Sequence, residues 1–397
     1  MATDRTPMPL LSKDDASRTS TAENVPVTFR HLGDLLTLLT HRPVSLYAAA
    51  TLRIGYGLCY LVFLLRELPH RDEIWGPGSQ WTPALANRLF DQTGWFSVLT
   101  LSDSKVYFNL CYVAALAVCV MFLLGWRTRV TSVLFALVVV SFHARSIFMT
   151  DGGDNLILLM ALYLTVTACG RRWSLDARRT ALRVRTGRPG RWALWRAGSD
   201  LWPQLAVARA SLTTVLHNCG MFVIAAQVCL LYGSAGLYKV QGGSWQAGTA
   251  LHYVVNLDLF RPWPALSALV DSYPLFIAAA GYLTVLIQVA FPFTLFSRLK
   301  YALLVMLLGM HIGIAVLLGL PIFSAAMIVA DTAFLPDRFY RAAARATRRT
   351  LARLRSRESP TPPRRALLVP PQSPTRTLLP TPPTGPAAAP DRARAKP

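Results

Sequence analysis

SLYAAATLRIGYGLCYLVFLL, residues 45–65, is a run of 21 residues in which Arg53 is the only charged side chain. As a helix it would be about 30 Å long, which matches the hydrocarbon core of a bilayer. The whole chain has a similar character, because 53% of its 397 residues are hydrophobic and only 15% are charged. Soluble proteins carry about 25% charged residues. The composition therefore excludes an ordinary soluble enzyme and predicts an all-α integral membrane protein.

Seven further apolar stretches are candidates for membrane-spanning helices. The eight stretches are 45–65, 106–126, 129–148, 155–170, 218–238, 273–296, 300–319 and 321–336. We therefore predict a polytopic bundle of about eight transmembrane helices over residues 45–336, preceded by a polar segment, residues 1–44.

Basic residues are concentrated in two segments that flank the apolar stretches. Residues 171–209 carry a net charge of +8 and residues 336–397 carry +11, out of +21 for the chain. Lys and Arg mark cytoplasmic loops, and an even number of crossings returns the chain to its starting side. We therefore predict a multi-pass protein of the cell membrane with both termini in the cytoplasm.

The basic C-terminal region has two parts. Residues 337–358 contain neither Gly nor Pro, which favours a basic interfacial helix that anionic lipid of the inner leaflet attracts. Residues 359–397 contain twelve prolines, which predicts a disordered Pro- and Arg-rich cytoplasmic tail. Basic residues without aromatic side chains interleaved in a groove favour the membrane, and not nucleic acid, as partner.

Three ionisable residues fall in the middle half of the predicted bilayer, namely Arg53, His311 and Asp331. A charge there costs roughly 2.5–3.5 kcal/mol on insertion scales. We predict that Arg53 or Asp331, or both, find a charge or hydrogen-bond partner inside the bundle. An ion pair between the two is one interpretation, and a functional site is the other. The seven histidines show no HxxxH or HExxH spacing, so no metal site is predicted.

A second group of polar residues gathers at the predicted outer ends of the helices. It comprises His143, Arg145, Asp151, Gly152, Gly153 and Asp154, followed much later in the chain by Lys239, Trp245 and His252. Asp151 suits a helix cap, and the two glycines suit a tight turn. A cap on its own does not account for the second acid, Asp154.

Lys239 has two interpretations. Its side chain can simply extend to the outer interface, or an apolar mouth can hold it so that it loses its proton and acts as a base. We predict that Lys239 lines a cavity shared with the 143–154 turn. The candidate catalytic residues are Lys239, His143, Arg145, Asp154 and His252.

Two segments resemble a known family. SAGLYKVQGGSW (234–245) resembles the Ala-Gly-x-x-Lys…Trp segment of the vitamin K-dependent gamma-carboxylase family, and DGGDNLILLMALYLTVTACGRRWSLD (151–176) is similar to the fourth-helix region of that family. The matching positions are Ala235, Gly236, Lys239, Trp245, Trp173, Ser174 and Asp176. Bacterial members are called HTTM (horizontally transferred transmembrane) domain proteins. The resemblance spans roughly residues 40–336.

The resemblance implies a multi-helix membrane domain and, by position, a base at Lys239. In the animal carboxylase this lysine is the proposed base that deprotonates a reduced quinone, and the oxygenated quinone then drives carboxylation of glutamate. The resemblance alone thus implies a vitamin K-like quinone as cofactor. This chain has Gly152-Gly153 where the animal enzyme has Asn-His, and a basic tail in place of a large lumenal domain. Glutamate carboxylation is therefore not implied.

Three functions stay open at this point. The first is a lipid-quinone-linked modifying enzyme with an outer-facing site around Lys239. The second is a non-enzymatic membrane scaffold or peptide-maturation partner. The third is a proton-coupled transporter that uses Arg53, His311 and Asp331, although the sequence shows no inverted repeat of hydropathy. The substrate, a peptide or a small molecule, is not identified by the sequence.

Overall fold

The computed structural model describes residue 40, residues 42–187 and residues 201–358. Nearly all of the predicted N-terminal segment, part of the Arg-rich loop and the tail 359–397 lie outside the described residues. Within them the chain is an all-α helical bundle, and six helices are long and apolar enough to cross a membrane. The predicted fold class, an integral membrane bundle, is therefore confirmed.

The described helices follow one another along the chain with short connections. They are α1 (Leu46–Arg66), α2 (Arg71–Ile74), α3 (Pro83–Thr93), α4 (Lys105–Leu124), α5 (Thr128–Arg145), α6 (Gly152–Val166), α7 (Leu175–Arg185), α8 (Leu201–Gln241), α9 (Gly243–Gln246), α10 (Ala250–Val255), α11 (Pro264–Asp271), α12 (Pro274–Thr294), α13 (Lys300–Leu317), α14 (Pro321–Asp331) and α15 (Asp337–Glu358).

Six of the eight predicted spans are long apolar helices in the structure, and the other two are shorter. The six long apolar helices are α1, α4, α5, α8, α12 and α13. The fourth and eighth predicted stretches correspond to α6, with 15 residues, and to α14 with the turn that follows it, and both are classed as shorter apolar helices. Fifteen residues rise only about 22 Å, less than the thickness of the hydrocarbon core. The count of eight therefore stays a prediction.

Helix α1 lies at the centre of the bundle and packs against α4, α6 and α14. Small side chains permit this close packing. A Cβ atom on Gly55 would lie 2.5 Å from a methyl carbon of Val329 on α14, and a Cβ on Gly57 would lie 3.4 Å from the backbone of Leu123 on α4. Replacing Gly55 would therefore push α14 outward, whereas a Cβ on Gly57 would already be in contact with α4 and leaves no room for a larger side chain on that side.

The guanidinium group of Arg53 joins three segments at one end of the bundle. It donates hydrogen bonds to the carbonyl oxygens of Phe122 (2.8 Å) and Leu123 (2.7 Å) in the last turn of α4, and to that of Trp173 (2.6 Å). Arg53 therefore does find partners inside the bundle, as predicted. The alternative of an ion pair with Asp331 is wrong among the described residues, because the two terminal nitrogens of this arginine bind backbone carbonyls and not a carboxylate.

The Trp173-Ser174-x-Asp176 motif has a structural role beside Arg53. The Asp176 carboxylate accepts hydrogen bonds from the backbone N–H groups of Arg127 (3.0 Å) and Thr128 (2.7 Å), where α5 begins. The Ser174 hydroxyl accepts a bond from the N–H of Ala177 and so caps α7. The motif therefore ties the start of α5 to the start of α7.

The pH dependence of stability should report the Asp176 cap. Partial burial alone would raise the pKa of Asp176, but the hydrogen bonds from Thr128 and Arg127 outweigh it and hold the pKa below its ordinary value. The cap therefore stabilises the fold fully above the unfolded pKa of about 3.9, and this contribution is lost as the pH falls through the lower folded value. We expect Asp176→Ala to cost about 1 kcal/mol at pH 7. In thermal unfolding in detergent, the difference from wild type should shrink below about pH 4. A difference that is constant from pH 7 to pH 3 would contradict this role.

The chain divides into two compact units, residues 1–344 and 345–397. The second unit is described only over residues 345–358, which are helical. The predicted helix over 337–358 is thus present as α15, whereas its attraction to anionic lipid stays a prediction.

Candidate functional site

A cavity of about 250 Å³ opens between α1, α5, α6 and the turn before α14. We call it the His143 cavity. Its polar lining is Arg66, Glu67, His143, Ser146, Thr150, Asp151 and Asp154. Aromatic side chains, among them Trp75, Phe142 and Phe323, form the rest of the wall. Acidic, basic and imidazole groups are therefore concentrated in one small space of an otherwise apolar bundle.

The two aspartates of this cavity cap α6 reciprocally. Asp151 Oδ1 accepts hydrogen bonds from the N–H groups of Gly153 (2.6 Å) and Asp154 (2.9 Å), while Asp154 Oδ2 accepts one from the N–H of Asp151 (3.0 Å). This capping box explains the second acid, which a one-sided cap left unexplained. A Cβ on Gly153 would lie 2.9 Å from Cα of Phe323. The glycine therefore allows the start of α14 to approach the acids.

His143 and Arg145, at the end of α5, have different surroundings. The His143 ring is buried and stacks on Trp95, with 5.7 Å between ring centroids. Arg145 is fully buried, donates a hydrogen bond to the carbonyl of Gly76 (3.3 Å) and does not line the cavity. His143 can thus exchange a proton with a molecule in the cavity, whereas Arg145 holds the loop after α2.

Lys239 is not part of the His143 cavity, so the predicted shared cavity is wrong for this site. Its ammonium group lies 5.3 Å from the centroid of the Trp245 ring and donates a weak hydrogen bond to the carbonyl of Ala235 (3.4 Å). The physical reason is the packing of α8 on α12. A Cβ on Gly236 would lie 2.9 Å from the backbone nitrogen of Val289, so this end of α8 lies against α12.

His252 belongs to a third, exposed cluster. Its Nδ1 lies 2.6 Å from Asp271 Oδ1, and the Asn256 side chain donates to Asp271 Oδ2 (3.0 Å). The hydrogen bonds from Asn256 and His252 lower the pKa of Asp271 below its ordinary value. The candidate catalytic residues therefore fall into separate groups and do not form one site.

A buried polar cluster, which we call the Tyr232 triad, lies inside the bundle. The Tyr232 hydroxyl lies 3.0 Å from both carboxylate oxygens of Asp331 and 2.9 Å from Nε2 of His311. One hydroxyl carries one proton, so when it donates to Asp331, His311 Nε2 donates to the hydroxyl oxygen. Asp331 thus has an internal partner, as predicted.

Sequence reasoning missed several residues at these sites. Tyr232 gives no signal, because a tyrosine in an apolar helix is indistinguishable from a packing residue. Arg66 and Glu67 form an ion pair of 2.6 Å between Arg66 Nε and Glu67 Oε1. Their position at the end of the first apolar stretch, on the same predicted side as the 143–154 turn, was the available signal.

Comparisons with known proteins give little about function. No protein-family model matches the chain, and no solved structure matches it. An uncharacterized protein of Bacillus subtilis (strain 168), YitO, is 26% identical over 232 residues, which are 57% of this chain and 66% of that protein. The match thus spans slightly less than two thirds of the relative's length.

Proposed function

We propose that the chain is a membrane-embedded modifying enzyme of the HTTM and vitamin K-dependent gamma-carboxylase-like type. The observation that carries this proposal is the His143 cavity, which combines an imidazole, three carboxylates and a guanidinium in about 250 Å³. The two sequence segments around Lys239 and Asp176 support the family. No glutamate carboxylation is proposed, because the chain departs from the animal enzyme at Gly152-Gly153.

The His143 cavity suits proton transfer to and from a bound molecule. His143 can act as acid or base, and Asp154 offers the carboxylate oxygen that the capping box does not use. Arg66 can attract an anionic group of a substrate, although its pairing with Glu67 reduces the net positive charge. The volume is small for a complete ligand. It therefore fits a small molecule or one side chain of a peptide.

The reduced quinone that the resemblance implies does not fit the surroundings of Lys239. The ammonium group faces the Trp245 ring and a carbonyl of its own helix. Lys239 is also separated from the lining of the His143 cavity. The proposed reaction therefore includes no step through a quinone, and Lys239 is a candidate base by resemblance alone.

Complementation of a deletion strain tests the proposed site. His143→Phe keeps a ring to stack on Trp95, and Asp154→Asn keeps an oxygen for the capping box. We expect both proteins to insert normally and to lose activity by about 10²–10⁴-fold, the contribution typical of general acid–base groups. Asp91→Asn, an exposed change outside the cavity, is the control and should rescue fully.

The same strain separates the alternatives. Lys239→Met keeps the length of the side chain and removes the amine, so we expect it to lose rescue if the family's base is retained. Full rescue by Lys239→Met alone removes this lysine from the mechanism. Full rescue by His143→Phe and Asp154→Asn contradicts the enzyme and favours the membrane scaffold or peptide-maturation partner.

A proton-coupled transporter is the second candidate, and the Tyr232 triad favours it. Linked hydrogen bonds among Asp331, Tyr232 and His311 can relay a proton. Purified protein in liposomes that contain a pH-sensitive dye provides the test. Proton flux that Asp331→Asn abolishes would support transport, and flux equal to that of empty liposomes would exclude it as a proton conductor.

We also infer that both termini face the cytoplasm of a cell membrane. The support is the charge of the segments 171–209 and 336–397. Reporter fusions at residue 190 and in the tail, both outside the described residues, would test this orientation. A periplasmic or extracellular signal at either position would contradict it.

A further inference from the structure

A groove of about 730 Å³ runs along the surface where α13, α14 and the start of α15 meet. We call it the Arg338 groove. Its walls are almost entirely apolar and include Leu304, Val305, Leu308, Ile328, Leu335 and Phe339. Val305 is 68% exposed and Phe339 is 51% exposed. Because α13 is one of the candidate spans, the groove faces the hydrocarbon of the bilayer along much of its length.

Positive charge lies at one end of this groove. Arg338 lines it, is exposed and forms no ion pair within the described part of the chain. The Lys300 ammonium group lies 5.4 Å from the centroid of the Tyr301 ring, which also lines the groove. Asp337 precedes Arg338 without pairing with it. Lys300 is the first residue of α13, and Arg338 lies in the first turn of α15, so each helix that forms the groove carries a cation at its start.

An acidic residue, Asp331, also borders the groove. Its exposed fraction is only 8%, and both of its oxygens lie 3.0 Å from the Tyr232 hydroxyl, whose single proton they share. This carboxylate is therefore satisfied from within the bundle and does not require a cationic ligand in the groove.

We propose that the Arg338 groove binds an anionic phospholipid, with an acyl chain along the apolar wall and the phosphate group at Arg338 and Lys300. The apolar wall alone would accept an acyl chain of any lipid and would not select for charge. Specificity comes from Arg338, which lines the groove, and from Lys300 beside the adjoining Tyr301. Each basic side chain near an anionic lipid surface contributes attraction of about fivefold in affinity. This site is distinct from the His143 cavity and does not depend on the proposed enzyme activity.

Lipid retention measured by native mass spectrometry tests the proposal. The full-length protein in neutral detergent is titrated with dioleoyl phosphatidylglycerol or with dioleoyl phosphatidylcholine, which have the same acyl chains. We expect retention of phosphatidylglycerol to exceed that of phosphatidylcholine by at least about fivefold. Arg338→Gln should remove most of this preference. Arg341→Gln is the matched control, because Arg341 lies one turn further on α15 and does not line the groove.

A second pair of variants tests the apolar wall. Val305→Trp places a large ring in the groove and should reduce retention of both lipids, whereas Val316→Trp, an exposed position on the same helix outside the groove, should not. Equal loss of preference in Arg338→Gln and Arg341→Gln would overturn the proposal in favour of a diffuse basic surface. Equal retention of the two lipids by wild type would overturn it as well.

Discussion

Replacing Arg53 with leucine should lower the free energy of unfolding by about 3 kcal/mol. The change removes hydrogen bonds to the carbonyls of Phe122, Leu123 and Trp173 in a fully buried position. The Phe122 carbonyl keeps a bond from the Gly125 N–H, so the penalty falls mainly on the other two acceptors. A buried acceptor without a partner costs about 1–3 kcal/mol. Unfolding in detergent with increasing sodium dodecyl sulfate, followed by circular dichroism, measures the change.

Arg66→Leu is the matched control for this prediction. Arg66 lies on the same helix at its other end, its side chain is 54% exposed, and its ion pair among the described residues is with the adjacent Glu67. Exposed pairs contribute about 0–1 kcal/mol. Two variants with equal stability would show that the carbonyl contacts of Arg53 do not hold the bundle together.

Replacing Tyr232 with phenylalanine should cost about 1–3 kcal/mol. The change removes one oxygen atom and leaves Asp331 and His311 buried without their shared partner. Tyr56→Phe is the control, because the buried Tyr56 hydroxyl donates to a neutral acceptor, the carbonyl of Ala326, on the same helix as Asp331. Loss of one neutral hydrogen bond costs about 1 kcal/mol.

A double-mutant cycle isolates the contact between Tyr232 and Asp331. We expect Tyr232→Phe and Asp331→Asn to be less than additive by at least about 0.5 kcal/mol, as for residues in one hydrogen-bond network. The pair Tyr56→Phe and Asp331→Asn provides a reference cycle. Strict additivity of Tyr232→Phe with Asp331→Asn would contradict an energetic coupling between these two residues.

The long helices could be predicted from the sequence because the length of an apolar run is a local property. Residues 45–65 predict α1 to within one residue at each end. The fifth stretch was less complete, because the predicted span begins at residue 218 whereas α8 extends from Leu201 to Gln241. The two short helices, α6 and α14, have too few residues to show from their length alone that they cross the membrane.

The partners of the buried charges could not be predicted, since reasoning from sequence looks for a side chain of opposite charge as the partner. Arg53 bonds to backbone carbonyls, which every residue possesses and which no motif marks. The grouping of Lys239 with His143 failed for another reason. Charge patterns place helix ends on one side of a membrane, but only helix packing decides which ends meet, and α8 packs on α12.

Arg53 also sets an order of events during synthesis. Its first carbonyl partners are 69 and 70 residues later in the chain, and Trp173 is 120 residues later. At about 5–20 residues per second, the ribosome needs roughly 6–24 s to supply the last of them. Helix α1 is therefore synthesised before any of the three carbonyls that its arginine binds, and the last of these hydrogen bonds must wait for the segment after α6. A nascent chain released before Trp173 would lack one of the three carbonyls that Arg53 binds. The guanidinium group of such a truncated product would therefore be less completely hydrogen-bonded than that of the finished protein.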